Sequence, residues 1–190
     1  MDGMFGATSS KVAQPNVDVK LFSYGIQNCQ SDYVAHVGFC VGSVYVFPTA
    51  NGKAAVESGL YQGRPASQPG VDGTTAWGYK VPWEEIEECR EFIISPDILA
   101  AVDCKPYEST TVKGKKAERV VNEMLARGLL SLNLSASTVT DEFTQIQGID
   151  AVVPSATMQV KCDYNCGTRE RGGTGNLYLQ THERNPRGLH

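Results

Sequence analysis

The 190-residue chain has no uninterrupted run of eighteen apolar residues, so nothing in it reads as a membrane-spanning helix. No charged-then-apolar leader follows Met1, and without a secretory signal its cysteines have no oxidising compartment; a soluble, cytoplasmic chain without membrane attachment is the expectation. The six cysteines (Cys29, Cys40, Cys89, Cys104, Cys162, Cys166) form no paired CxxC knuckles. The closest pair, in "CDYNC", has a spacing that zinc sites sometimes use, but no second pair supplies two more ligands, so reduced structural thiols are expected. The glycine-rich "RGGTG" lacks the GK[ST] of a phosphate-binding loop and the strand and helix flanks of a dinucleotide site. Internal repeats and low-complexity tracts are absent as well.

What is present is ordinary for a globular chain, at 41% hydrophobic and 20% charged residues, long enough for one sizeable core or two small ones. The net charge of −4 is unevenly spread: residues 113–190 are net +2 and residues 1–112 net −6. Basic charge gathers late, at Arg169, Arg171, Arg184 and Arg187, which are candidate phosphate contacts. A solvated charged loop accounts for them equally well.

Residues 1–16 are small and polar without a period and read as a flexible terminus. Residues 17–108 read as a β-rich region with helices. In "YVAHVGFCVGSVYVFP" the β-branched and aromatic residues mark strands that end at Pro48, with Gly38 and Gly42 as bulges or points of close backbone approach. Residues 49–76 are rich in Gly, Pro, Ser and Gln and read as a long surface loop. "VPWEEIEECREFII" has Trp83, Ile86 and Ile93 at helical spacing behind Pro82, and "SPDILAAV" reads as a second helix capped by Ser95. After a linker, "KGKKAERVVNEMLARG" places Ala117, Val120, Val121, Met124 and Leu125 on one helical face and stops at Gly128. An apolar "LLSLNL", a polar segment, a hairpin over "GIDAVVPSATMQVK", a basic loop and a strand "NLYLQT" follow.

The hairpin carries the chemistry. A two- or four-residue turn in "PSAT" pairs Val153 with Met158, Val152 with Gln159, and Asp150 with Lys161, so Asp150, Gln159 and Lys161 project from one face. Docking the helix stripe on that hairpin would bring the Glu118 carboxylate toward the same place, whereas Glu123 faces away. Two carboxylates, an amide oxygen and an ammonium suit phosphodiester hydrolysis: hard oxygens hold Mg²⁺ and a lysine orients water or stabilises developing charge. A cross-strand Asp150–Lys161 ion pair worth roughly 0.2–1 kcal/mol, with Gln159 and Glu118 as surface residues, covers the same facts without any activity.

From Lys113 to Leu189 the chain resembles the PD-(D/E)XK, or restriction-endonuclease-like, nuclease superfamily, whose motif is an acid on a first helix, an Asp on the second strand and (Glu/Asp/Gln)-x-Lys on the third. Glu118 in "KGKKAERVVNEMLARG", Asp150 in "GID", and Gln159 and Lys161 in "QVK" match those positions. "VKCDYNCGTRERGGTGNLYLQTHERNPRG" is similar to the branch in which a VK-x-D strand end leads through a loop to TGN and a further strand. The resemblance implies an α+β fold, with a mixed central sheet flanked by helices as a restriction-endonuclease-like core over 113–190, and cleavage of nucleic acid, DNA foremost. Asp150, Glu118 and Gln159 would hold Mg²⁺, or Mn²⁺ in its place, and Lys161 would position the attacking water. A homodimer would suit double-strand cleavage.

Gln159 stands where the family usually has an acid, and Gln180 departs from its branch in the same way. The chain also ends 29 residues after Lys161, where that branch continues toward a further helix. A catalytically inactive nuclease-fold module that binds nucleic acid or a protein partner is therefore the alternative. Trp77, Tyr79 and Trp83 read as core or interface aromatics before base-stacking ones, His36 as a core or edge histidine, and His182 and His190 as polar surface.

Overall fold

A computed structural model describes residues 25–65, 74–130, 137–138, 151–153 and 156–184. Helices and strands combine around a mixed sheet, an α+β arrangement. Strands β1 (Tyr33–Gly38) and β2 (Ser43–Pro48) form a hairpin. Gly38 lies so near the Cys166 carbonyl that a Cβ there would sit 3.0 Å from it, and Gly42 takes φ +67° at the end of the turn. Helix α1 (Thr49–Glu57) follows, then β3 (Arg64–Pro65), β4 (Thr74–Pro82) and β5 (Arg90–Ile93). Helices α2 (Pro96–Val102) and α3 (Thr110–Ala126) lead to β6 (Ser137–Thr138), β7 (Ala151–Val153), β8 (Ala156–Cys162) and β9 (Asn176–Arg184).

Six strands form one sheet in the order β5-β2-β1-β8-β7-β6, and β3-β4-β9 form a second. β1 and β8 run parallel; every other pairing in the two sheets is antiparallel. The first sheet thus takes strands from both sides of the boundary drawn near residue 110 in the sequence. Side chains alternate along a strand, and the alternation divides the core in two. Ala35, Val37, Val44, Val46, Met158 and Val160 pack against Ile98 and Val102 of α2 and the stripe Ala117, Val120, Val121, Met124 and Leu125 of α3. On the opposite face Val34, Tyr45 and Phe47 pack against Val56 of α1 and Val81, Leu177 and Leu179 of the second sheet. Helices, large sheet and small sheet make three layers.

Three local expectations are corrected. "VPWEEIEECREFII" is not a helix: Val81 and Pro82 end β4, Trp83–Glu85 is a single 3₁₀ turn, Glu88 takes φ 60°, and Arg90–Ile93 becomes an edge strand on β2. Pairing with β2 satisfies the backbone there, which outweighs the local spacing of apolar residues. Residues 49–57, taken as loop, form α1 because Thr49, Gly52 and Val56 share one buried face. The helix expected to start near Lys113 begins at Thr110, where the Ser109 side chain accepts a hydrogen bond from the Val112 N–H at 3.3 Å. The second and third helical signals, at "SPDILAAV" and the α3 stripe, form helices whose apolar faces are buried.

The loop from β8 to β9 is tied to the large sheet through Glu91 on β5. Its Oε1 accepts hydrogen bonds from Ser43 Oγ at 2.9 Å and Tyr45 Oη at 3.1 Å, and its Oε2 accepts one from Thr168 Oγ1 at 3.2 Å. Arg171 pairs with the same carboxylate and donates to Ser43 Oγ at 2.9 Å, while the Thr168 N–H donates to Tyr45 Oη at 2.9 Å. Glu91→Ala leaves four partners without their acceptor, and we expect a loss of about 2 kcal/mol in urea unfolding, with Glu91→Gln losing less. A change near zero in Glu91→Ala would show that the loop holds without it.

Candidate functional site

β8 lies inside the large sheet with β1 on one side and β7 on the other. Its register with β7 differs from the one the sequence suggested: Val153 pairs with Ala156, Val152 with Thr157 and Ala151 with Met158. The slip is two residues, an even number, and it leaves every side chain of β8 on the face it would otherwise occupy. Met158 and Val160 face α3, while Gln159 and Lys161 face the other way, toward the second sheet.

There they border a cleft of about 200 Å³ between the two sheets. Its apolar wall is Ile26, Val34 and Leu179; its polar groups are His36, Gln159, Lys161, Asp163 and Gln180, with Tyr178 at the rim. Gln159 is 4% exposed and Lys161 half-buried. Parallel pairing sets Val34 beside Gln159 and His36 beside Lys161. Asp163 follows where β8 ends: its N–H donates to the Val37 carbonyl at 3.1 Å, and its Oδ2 accepts from the Tyr178 N–H at 2.8 Å, joining the two sheets at the cleft. His36 Nδ1 lies 3.5 Å from that same Oδ2, within ion-pair range, yet without the geometry of a hydrogen bond, and this buried nitrogen has no hydrogen-bond partner among the described residues. The two observations agree if the contact is electrostatic and unaligned.

Those of the other expected site residues that are described do not line this cleft. Asp150 and Arg187 lie outside the described residues. Glu118 is half-buried on α3, the helix whose apolar stripe covers the face of β8 opposite to Gln159 and Lys161. Arg171 is engaged by Glu91 and Ser43, and Arg169 Nε donates to the Thr174 carbonyl at 3.2 Å, so both serve the β8–β9 loop. The backbone of Arg184 pairs with Thr74 at the far end of β9. Trp83 packs on Tyr45 with ring centroids 5.1 Å apart, and Tyr79 packs against the core between the sheets. His36 is a polar cleft residue that neither motif included, and Asp163, the acid of the VK-x-D strand end, was given no place in the site. Asp163 had a signal, since it lies two residues beyond Lys161 on the same alternation; His36 reaches β8 by a pairing that spans more than a hundred residues and leaves no local trace.

Among the described residues no group of three or more His, Cys, Asp or Glu gathers to hold a metal ion. The cleft's described oxygen donors are one carboxylate, Asp163, and the amides of Gln159 and Gln180. They do not by themselves make a divalent-cation site, for which carboxylates are the usual ligands. No family model matches the chain, and comparison with curated proteins and with solved structures finds no match either.

The cysteines are not poised as nucleophiles. Burial pushes the thiol of Cys89 up to about 12, and burial, with Cys104 nearby, pushes that of Cys162 up to about 12; Cys166, wholly buried, is raised further. The thiolate is the reactive form, so at pH 8 only on the order of one part in 10⁴ of a group at pKa 12 reacts. Alkylation of the native protein at pH 8, read by mass spectrometry, is expected to mark the exposed Cys40 first and to reach Cys89, Cys162 and Cys166 only on unfolding or at much higher pH. Early labelling of Cys162 would show that the packing of the helices on β8 opens widely.

Proposed function

We propose that the chain is a nuclease of the PD-(D/E)XK type whose cleft between the sheets receives a phosphodiester of nucleic acid, DNA foremost. The observation that carries this reading is the placement of Gln159 and Lys161, two residues apart on an interior strand, in one concave polar cleft that Gln180 also borders. Lys161 would orient the attacking water or offset charge developing on the phosphate. The large mixed sheet with α3 against one face is compatible with a restriction-endonuclease-like core.

Mg²⁺, or Mn²⁺ in its place, would supply positive charge against the phosphate. Because the described cleft residues do not complete a cation site, that part of the reading rests on Asp150 and Glu118 joining Gln159. Gln159 is neutral, so affinity for the ion is expected to be weak.

A second reading has its own support. The two amides Gln159 and Gln180, with one carboxylate already bonded to the Tyr178 N–H, suit binding as well as hydrolysis. A nuclease-fold module that binds nucleic acid without cutting it would show affinity that falls steeply with salt and does not depend on metal.

Cleavage of supercoiled plasmid and single-stranded DNA with Mg²⁺, Mn²⁺ or EDTA tests both. Metal-dependent cleavage is expected, reduced on the order of 10²-fold or more in Asp150→Ala and Lys161→Ala with the fold retained. Undiminished cleavage in either variant rejects the site. Folded wild type that binds DNA and cuts with neither ion establishes the second reading, and Gln159→Glu is then the variant in which activity would appear.

A further inference from the structure

His36 continues the face that Gln159 and Lys161 begin. Val34 and His36 pair with those two residues in parallel register, so the imidazole is the neighbour of Lys161 across the strand boundary. The residue is 2% exposed, and its Nδ1 is a buried polar atom without a hydrogen-bond partner among the described residues. Buried polar groups are nearly always bonded, and a nitrogen that is not calls for an explanation such as a ligand or a water. Asp163 is not a sufficient one: its Oδ2 stands 3.5 Å from Nδ1 and already accepts from the Tyr178 N–H.

The surroundings indicate what the nitrogen meets. Beside it the cleft offers an ammonium and two side-chain amides, a set rich in donors, against one carboxylate that is itself held by a backbone N–H. Such a lining favours an anion with several acceptor oxygens. The cleft, at about 200 Å³, is a small one, of a size for a compact group such as a single phosphodiester.

We infer that His36 is a further residue of this cleft that touches its ligand, its ring bonding an oxygen of a nucleic-acid phosphate alongside Lys161. The inference rests on the reading of the Gln159–Lys161 cleft as a phosphodiester site, and adds to it a contact from the N-terminal hairpin that the family motif does not contain.

The test follows the ring ¹⁵N resonances of His36, assigned by their loss in His36→Asn, during titration with inorganic phosphate and, separately, with a short single-stranded oligonucleotide in EDTA. Oligonucleotide affinities are measured in parallel for wild type, Lys161→Ala, His36→Leu and His36→Asn. The expected result is movement of the His36 signals with the oligonucleotide, an affinity weakened about tenfold in His36→Leu, and one held within about threefold in His36→Asn, whose amide nitrogen sits near the place of Nδ1. If Lys161→Ala weakens binding while the His36 signals stay still and His36→Leu binds as wild type, His36 is a packing residue and the inference fails with the cleft reading intact. If neither Lys161→Ala nor His36→Leu changes the affinity, both fail. Movement with inorganic phosphate alone overturns the assignment to nucleic acid. Should His36→Leu not fold, the wild-type ring signals decide between these outcomes.

Discussion

The parallel pairing of β1 with β8 is the contact on which the rest of the molecule depends. It joins segments more than a hundred residues apart, from Tyr33 beside Met158 to Val37 beside Cys162, and welds two hairpins into one sheet. Parallel strands cannot be joined by a tight turn, so the connection between them has to be long. Here it contains α1, β4, α2 and α3, and these elements pack on the two faces of the sheet that the pairing creates. A single register then decides two things together: Ala35 and Val160 meet the helices, while Val34, His36, Gln159 and Lys161 meet the second sheet.

The cleft is a consequence of how that second face is covered. β4 and β9 pack Val81, Leu177 and Leu179 against Val34, Tyr45 and Phe47, but this apolar contact gives way where His36, Gln159 and Lys161 stand. Asp163 spans the gap by bonding β1 through its own N–H and β9 through its carboxylate. The neighbouring loop is fastened separately at Glu91, which collects Ser43, Tyr45, Thr168 and Arg171. Arg171 thereby acts on the loop's position, whereas Lys161 brings its ammonium to the border of the described cleft.

Much of the secondary structure was legible where one local signal ruled. The α3 stripe, the Ser-Pro start of α2 and the β-branched run of β1 and β2 each had a period or a cap with no strong competitor. The segment from Trp83 to Ile93 had a helical spacing and failed to form a helix, because an open edge of β2 offered its backbone a better set of partners. The hairpin register failed by two residues for a related reason: the apolar pattern repeats every second residue, and so it specifies a face without specifying which even slip is taken.

Sequence alone determined that Gln159 and Lys161 share a face of one strand, since alternation is a property of the extended backbone and needs no partner. It also determined the α3 stripe, since a helix sets its own period. Tertiary structure alone decided that the strand would lie against β1, that its polar face would look into a cleft and away from solvent, and that His36, Asp163 and Gln180 would border it too. Those outcomes depend on contacts between residues far apart in the chain, where closing long loops is weighed against the burial of whole faces, and no local pattern encodes that balance.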